Sequence, residues 1–168
     1  MTRVCLIGEA GVDLAVELLA SETARDALSS YEIDEPFENT VAVETISLGA
    51  AVSLLNDLNW YLVRLVTDAI VQEPSVSEAE WLSRELATAI RNEVVEPAET
   101  GTFLKVFGVI EPDAPEDPDE ESTVEPRPPT MTEPMFVQRV DDEIPSYDLR
   151  EVADTVVVRV TPEEFGAG

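Results

Sequence analysis

One stretch limits what this chain can fold into more than any other, and it occupies residues 111–134, EPDAPEDPDEESTVEPRPPTMTEP. It holds seven prolines and nine acidic residues against the single Arg127, so it has little to bury and much to repel. We therefore predict an acidic, proline-rich, flexible linker between a core domain at 1–110 and a C-terminal β-unit at 135–168. The alternative, a polyproline-type ligand built on PRPP, is disfavoured by the crowding acids.

The first 110 residues alternate short apolar runs with helix-like segments. This alternation favours an α/β (or α+β) fold with a mainly parallel sheet and flanking helices. After the linker, two more apolar runs flank a short helical segment at 146–153, and two such strands must add to the main sheet because an isolated pair is not stable in water. The predicted strands are 3–8, 40–48, 68–75, 101–110, 134–140 and 154–160.

Three helical segments are predicted before the linker. The first, from Val12 to Tyr31, is either one helix or two helices capped at Ser21. The third begins with the capping-box pair Ser77 and Glu80 or with the competing pair Ser75 and Glu78. It carries Trp81 beside its apolar stripe, where Arg84, one turn on, could stack on the indole. In the second, apolar residues recur at spacings of three and four and form one buried face: Ala51, Leu54, Leu55, Leu58, Leu62, Leu65 and Val66.

The net charge is −26, from 36 acidic and 10 basic residues. This balance argues against nucleic acid as a ligand, because a protein that binds phosphates needs basic surface. The acids are spread along the whole chain, which predicts a halophilic cytoplasmic protein, since molar KCl shortens the Debye length to roughly 3 Å and suppresses the self-repulsion. The alternative, an acidic mimic of DNA, lacks the regular spacing of carboxylates that phosphates would require.

Little in the sequence indicates catalysis. The chain has no histidine and a single cysteine, so Ser-His triads, zinc sites and intramolecular disulfides are not expected, and Cys5 is predicted to be a buried apolar residue. We predict no catalytic residues, no metal site and no cofactor. No signal peptide is expected, because the apolar stretch at the start is short and is followed by Glu9. No membrane span is expected either, because Asn56, Asp57 and Asn59 interrupt the longest apolar stretch.

The turn GEAG, from Gly8 to Gly11, is the one weak candidate for a cofactor-binding loop. Backbone amides at a helix start can bind an anion, but the turn lacks a third glycine and the Lys-Ser/Thr of a phosphate loop, and Glu9 and Asp13 would repel a phosphate. The alternative function, a small-ligand or nucleotide-binding enzyme, depends on this turn.

Trp60 lies opposite the apolar stripe of its helix, on the side of Asn56 and Arg64. A tryptophan between asparagine and arginine is typical of an interaction hot spot. Two other interpretations stay open: the helix is sandwiched and Trp60 is covered, or WYLVRLV is a strand. We predict that Asn56, Trp60 and Arg64 bind a protein partner, which makes the chain a non-catalytic interaction or regulatory module.

The segments SLGAAVSLLNDLNWYLVRLV and EAEWLSRELATAIRN, within the first 110 residues, resemble the small acidic proteins of unknown function found in haloarchaea. The resemblance implies a haloarchaeal cytoplasm and no particular activity. The C-terminal strands are within reach of their own core or of a second copy, so strand exchange in a homodimer is a further expectation.

Overall fold

The computed structural model describes residues 1–110, 128–139 and 154–167. These residues form one eight-stranded sheet and six α-helices. The strands are β1 (Thr2–Gly8), β2 (Thr40–Thr45), β3 (Val66–Gln72), β4 (Trp81–Ser83), β5 (Phe103–Ile110), β6 (Thr130–Met131), β7 (Met135–Gln138) and β8 (Asp154–Arg159). The helices are α1 (Leu14–Ala20), α2 (Glu22–Leu28), α3 (Leu48–Asp57), α4 (Asn59–Leu65), α5 (Arg84–Arg91) and α6 (Pro162–Ala167).

The sheet has the order β2-β1-β3-β4-β8-β5, and both β6 and β7 pair with β5 at the far edge. Only the short β4–β8 pair is parallel among the described strands. The last strand in the chain therefore lies inside the sheet, between two strands that precede the predicted linker.

The expectation of a mainly parallel sheet is wrong, because the sheet is mixed, mostly antiparallel and strongly curled. The expectation assumed that each helical segment carries the chain back along the sheet to start a parallel neighbour. Instead, the chain leaves β1 at Gly8 and returns at Thr40, which pairs with Ile7 at the same end. Between β1 and β2 the chain forms α1 and α2 and comes back to the end of β1 that it left. The strand β2 therefore runs antiparallel to β1.

Side chains alternate between two apolar cores on the two faces of the sheet. On β1, Val4 and Leu6 pack under the helices, whereas Cys5 packs on the other face against residues of β5 and β8. The curl brings β3 and β5 together: Lys105 Nζ lies 2.7 Å from Asp68 Oδ1, although these strands would lie roughly 14 Å apart in a flat sheet. The curled sheet thus encloses its own second core.

The predicted burial of Cys5 is confirmed, since its side chain is fully buried. Burial raises the pKa of the Cys5 thiol to about 12, because a thiolate would lose its hydration there. Cys5 therefore packs as a small apolar residue and is protected from reagents in the folded protein.

The first two helical segments are each divided in two. Ser21 ends α1 and precedes α2, as one of the two predicted alternatives required. The second segment is interrupted at Leu58, between α3 and α4. The predicted apolar stripe is confirmed from Ala51 to Leu65, because its members there are buried except the half-buried Leu65. Val66 is buried too, but it is the first residue of β3 and not part of the helix.

The predicted start of the third helix is wrong. Residues 81–83 form β4, and α5 begins at Arg84 with Ser83 as its N-cap. Pairing with β3 and β8 satisfies the backbone of β4, and Trp81 is buried in the second core instead of lying beside a helical stripe near Arg84. Ser77 Oγ accepts the Glu80 amide at 3.0 Å, so the predicted contact forms in a turn.

The described part of the predicted linker, residues 128–134, contains β6, which pairs with β5. Glu38 N donates to Pro129 O at 2.8 Å, and Thr130 Oγ1 donates to Glu38 Oε2 at 2.7 Å. Residues 111–127 and the predicted helix at 146–153 lie outside the described residues.

A search of the described helices for a membrane span finds none with the length and hydropathy that a span requires.

Candidate functional site

Trp60 is the second residue of α4, and 59% of its surface is exposed. Leu62, two positions later, is buried in the core below the helices, so the helical register is the predicted one. Among the described residues, neither α1 nor the C-terminal strands cover the indole, which is 59% exposed. The sandwiched helix and the strand interpretation are both wrong, and Trp60 presents a large apolar surface to solvent.

The Trp60 side chain contacts its neighbours on α4. The Arg64 guanidinium carbon lies 3.9 Å from the indole ring centroid, and Arg64 Nη1 donates to Trp60 O at 2.8 Å. The Tyr61 ring meets the indole edge-on, with ring centroids 5.0 Å apart. These contacts favour one orientation of the indole, and such preorganisation lowers the entropic cost of burying a side chain in an interface.

The indole borders a groove of about 650 Å³ between α4 and the α1–α2 pair, which we call the Trp60 groove. The hydroxyl groups of Tyr61 and Ser21 hydrogen-bond across it and join α4 to the α1–α2 junction. Two carboxylates, of Glu17 and Asp57, lie on its lining. The groove therefore combines an aromatic face with acidic groups, a pairing that favours cationic side chains.

The structure brings together only two of the three predicted partner-binding residues. Trp60 and Arg64 share the Trp60 groove, whereas Asn56 lines a second cleft on the other side of α4. There Arg84 Nη2 donates to Asn56 Oδ1 at 3.4 Å. Spacing by four positions predicts one row on a continuous helix, and the interruption at Leu58 separates Asn56 from this row.

The Gly8 to Gly11 turn is already occupied by the protein's own side chains. Asn39 Oδ1 accepts the Leu14 amide at 2.9 Å, and Asp13 Oδ1 accepts the Val16 amide at 3.3 Å. A Cβ at Gly8 would lie 2.7 Å from Asn39 Nδ2, and Gly11 has a φ of +83°. The two glycines thus serve close packing and turn geometry, and the turn offers little to a phosphate.

A cluster of opposite charges joins the C-terminal strands to the rest of the sheet. Glu80 Oε1 accepts Arg159 Nε at 2.7 Å, and Glu80 Oε2 accepts Arg139 Nη2. Burial opposes ionisation of Glu80, but the hydrogen bonds from the two arginines outweigh the effect of burial and lower the pKa of Glu80 below its ordinary value.

Within the described ranges, no group of three or more cysteine and carboxylate side chains is placed to hold a metal ion.

Sequence reasoning missed Asn39, Glu80 and Arg84 as organising residues. The partners of Glu80 are 59 and 79 positions away, so no local spacing reveals them. Arg84 was expected inside the third helix, one turn after Trp81, because that helix was predicted to start earlier. Asn39 has a φ of +57°, and asparagine tolerates this conformation better than most residues.

These features define a protein with a mixed, mostly antiparallel β-sheet, six α-helices in its described part and an exposed aromatic groove. The chain belongs to a family of unknown function, DUF5804, whose sequence profile matches residues 2–109. The expected membership of an uncharacterised family is therefore confirmed. The match ends within β5, so β6, β7 and β8 follow it. Neither a curated protein nor a solved structure matches the chain.

Proposed function

We propose that this protein is a non-catalytic interaction module whose Trp60 groove binds a basic segment of a partner protein. The observation that carries the proposal is the 59% exposed Trp60 beside two carboxylates. A tryptophan has roughly 250 Å² of accessible surface, so about 150 Å² of Trp60 is exposed. Covering this area would contribute about 3 to 4 kcal/mol to the free energy of binding.

The basic character of the partner follows from local and overall charge. Arg64 lies over one face of the indole, so an incoming lysine or arginine would be attracted chiefly by the carboxylates of Glu17 and Asp57 on the groove lining. The net charge of −26 favours cationic partners over anionic ones. Contacts formed directly in a groove are screened by salt far less than charges separated by solvent.

The test is an affinity capture in molar KCl, followed by measurement of the dissociation constant of the purified partner segment. Trp60→Ala should weaken binding at least about 30-fold, as truncation of a hot-spot residue does. Val63→Ala is the matched control, because Val63 is 69% exposed on the same helix but outside the groove. Equal affinity for wild type and Trp60→Ala would contradict the proposal, as would equal binding of a partner peptide with glutamine at its basic positions.

We further propose a halophilic, cytoplasmic setting, in keeping with the resemblance to haloarchaeal proteins. Among the described residues, only Asp34, Asp68 and Glu80 form ion pairs with described cations. Most of the other described acids therefore repel one another, and this repulsion destabilises the fold when salt is low.

Cys5 alkylation measures this dependence on salt. The thiol should resist iodoacetamide in molar KCl and react in dilute buffer, because the fold opens when the carboxylates are unscreened. Returning the unmodified protein to molar KCl should restore its protection. Equal protection of Cys5 at both salt concentrations would contradict the halophilic setting.

A further inference from the structure

A second cleft, distinct from the Trp60 groove, lies on the other side of α4. It has a volume of about 570 Å³, and its walls come from α3, α4, β3, α5 and α6. We call it the Arg84 cleft and define it by Asn56, Asn59, Val63, Asp68, Arg84 and Glu85, with Glu164 on its rim. Residues far apart in the sequence thus converge on one concave surface, as in small-molecule sites.

Arg84 is the unusual group in this cleft, because it is half-buried and has no carboxylate partner among the described residues. The cations at Lys105, Arg139 and Arg159 each bind a carboxylate. Arg84 has only two long contacts, from Nη2 to Leu55 O and to Asn56 Oδ1, both 3.4 Å. Burial lowers the pKa of its guanidinium, and most of its five N–H donors remain available.

The acidic groups around Arg84 restrict which anion suits the cleft. Asp68 Oδ1 is bound by Lys105, and Glu164 Oε1 accepts the Ser83 hydroxyl and the Thr161 amide. Glu85 is exposed and follows Arg84 directly. A phosphate would meet three carboxylates here, and a simple cation would meet Arg84, so a ligand carrying both charges is favoured over either.

One wall of the cleft is apolar. Leu62, Val63, Val66 and Ala69 line it between the polar groups, and Val63 is 69% exposed. A hydrocarbon side chain on the ligand would cover this wall and gain stabilisation from the water it displaces.

We propose that the Arg84 cleft binds an apolar α-amino acid, whose carboxylate pairs with Arg84 and whose ammonium group faces Glu85. A planar guanidinium binds a carboxylate through two parallel hydrogen bonds. The ligand's side chain lies on the wall formed by Leu62 and Val63. This inference goes beyond the proposed function and is independent of it, because no residue of the Trp60 groove contributes to the Arg84 cleft.

The test is calorimetric titration of the full chain in molar KCl with three matched probes. L-Leucine carries both charges, isopentylamine lacks the carboxylate, and 4-methylpentanoate lacks the ammonium group. L-Leucine should bind at least about tenfold more tightly than either analogue, since each loses one charge-assisted contact.

Two variants separate the two contacts. Arg84→Gln should weaken leucine at least about tenfold and leave isopentylamine unchanged. Glu85→Gln, at an exposed position that the fold tolerates, should bring leucine close to the affinity of 4-methylpentanoate. Arg91→Gln is the control, because Arg91 is exposed at the other end of α5 and outside the cleft; it should bind leucine as the wild type does.

Each of the following outcomes would overturn the inference. The first is that none of leucine, valine, methionine and phenylalanine binds at millimolar concentration. The second is that folded Arg84→Gln binds leucine as tightly as the wild type. The third is that isopentylamine binds the wild type as tightly as leucine does. If Arg84→Gln does not fold, Glu85→Gln and the analogues still decide, because 4-methylpentanoate as tight as leucine in the wild type excludes the ammonium contact.

Discussion

The two tryptophans show how much the position of a single side chain matters. Trp60 is 59% exposed on α4, whereas Trp81 is 8% exposed in β4 and packs in the second core. The same residue type thus provides surface for binding in one place and cohesion in the other. Their contributions to the free energy of unfolding should differ accordingly.

Trp60→Ala should change the free energy of unfolding by less than about 1 kcal/mol, and Trp81→Ala should lower it by about 3 to 5 kcal/mol. Urea denaturation in molar KCl measures both. The variant Trp81→Phe retains only Trp60, and the variant Trp60→Phe retains only Trp81. Acrylamide should quench the fluorescence of the first variant far more than that of the second. A large loss of stability in Trp60→Ala would place its indole in the core.

Glu80 should make the fold sensitive to acid. Its folded-state pKa is lowered by the hydrogen bonds from Arg159 and Arg139, which outweigh the opposing effect of burial. Its contribution to stability is therefore complete above the unfolded pKa of about 4.3 and is lost as the pH falls through the lower folded pKa.

Glu80→Gln should lower stability by about 2 kcal/mol at pH 7, because it removes hydrogen bonds to a charged acceptor, and the difference from wild type should shrink in acid. Glu78→Gln is the control, since Glu78 is exposed two positions away. Urea midpoints measured from pH 7 downward give both curves. A constant difference at every pH would show that the charge of Glu80 is not responsible.

Among the elements, α5 shows how tertiary pairing overrides a local signal. Ser77 and Glu80 have capping-box spacing, yet the helix starts four residues after Glu80, at Arg84, with Ser83 as its cap. Ser83 Oγ accepts the Leu86 amide at 3.2 Å and donates to Glu164 Oε1 at 2.5 Å. The cap therefore also joins α5 to α6.

Ser83→Ala should lower the free energy of unfolding by about 2 kcal/mol, since it removes an N-cap and the bond to Glu164. Ser77→Ala should cost clearly less, because Ser77 caps only a turn. Chemical denaturation of the two variants side by side tests this order. A larger loss for Ser77→Ala would mean that the helix starts where the sequence pattern had predicted.

For the whole molecule, the position of β8 matters most. It lies between β4 and β5 and supplies Val156 and Val158 to the second core. The family match ends at residue 109, so the matched region alone contains two strands with no partner between them.

A fragment of residues 1–110 should therefore not unfold cooperatively, because its second core is open and two strand edges are unpaired. Circular dichroism during urea titration gives the measurement, and adding residues 111–168 as a separate chain should restore a cooperative transition. A fragment as stable as the full chain would contradict this role of β8.

Strand exchange between two copies stays a prediction. A partner's β8 would occupy the same place between β4 and β5, so the contacts that β8 makes in a dimer would repeat those of one chain. Sedimentation in molar KCl distinguishes the two states. A single species of monomer mass at all protein concentrations would exclude the exchange.

Elements whose signals are local could be predicted from the sequence alone. The apolar run of β1, the stripe of α3 and α4, the burial of Cys5 and the outward position of Trp60 all follow from the period of side chains along a strand or helix. The tertiary structure alone decided strand direction, the start of α5, the place of β8 and the meeting of Glu80 with Arg139 and Arg159. These depend on where the chain returns to the sheet and on pairing between distant strands, and residues 59 or 79 positions apart leave no periodic signal because nothing in their spacing fixes their contact.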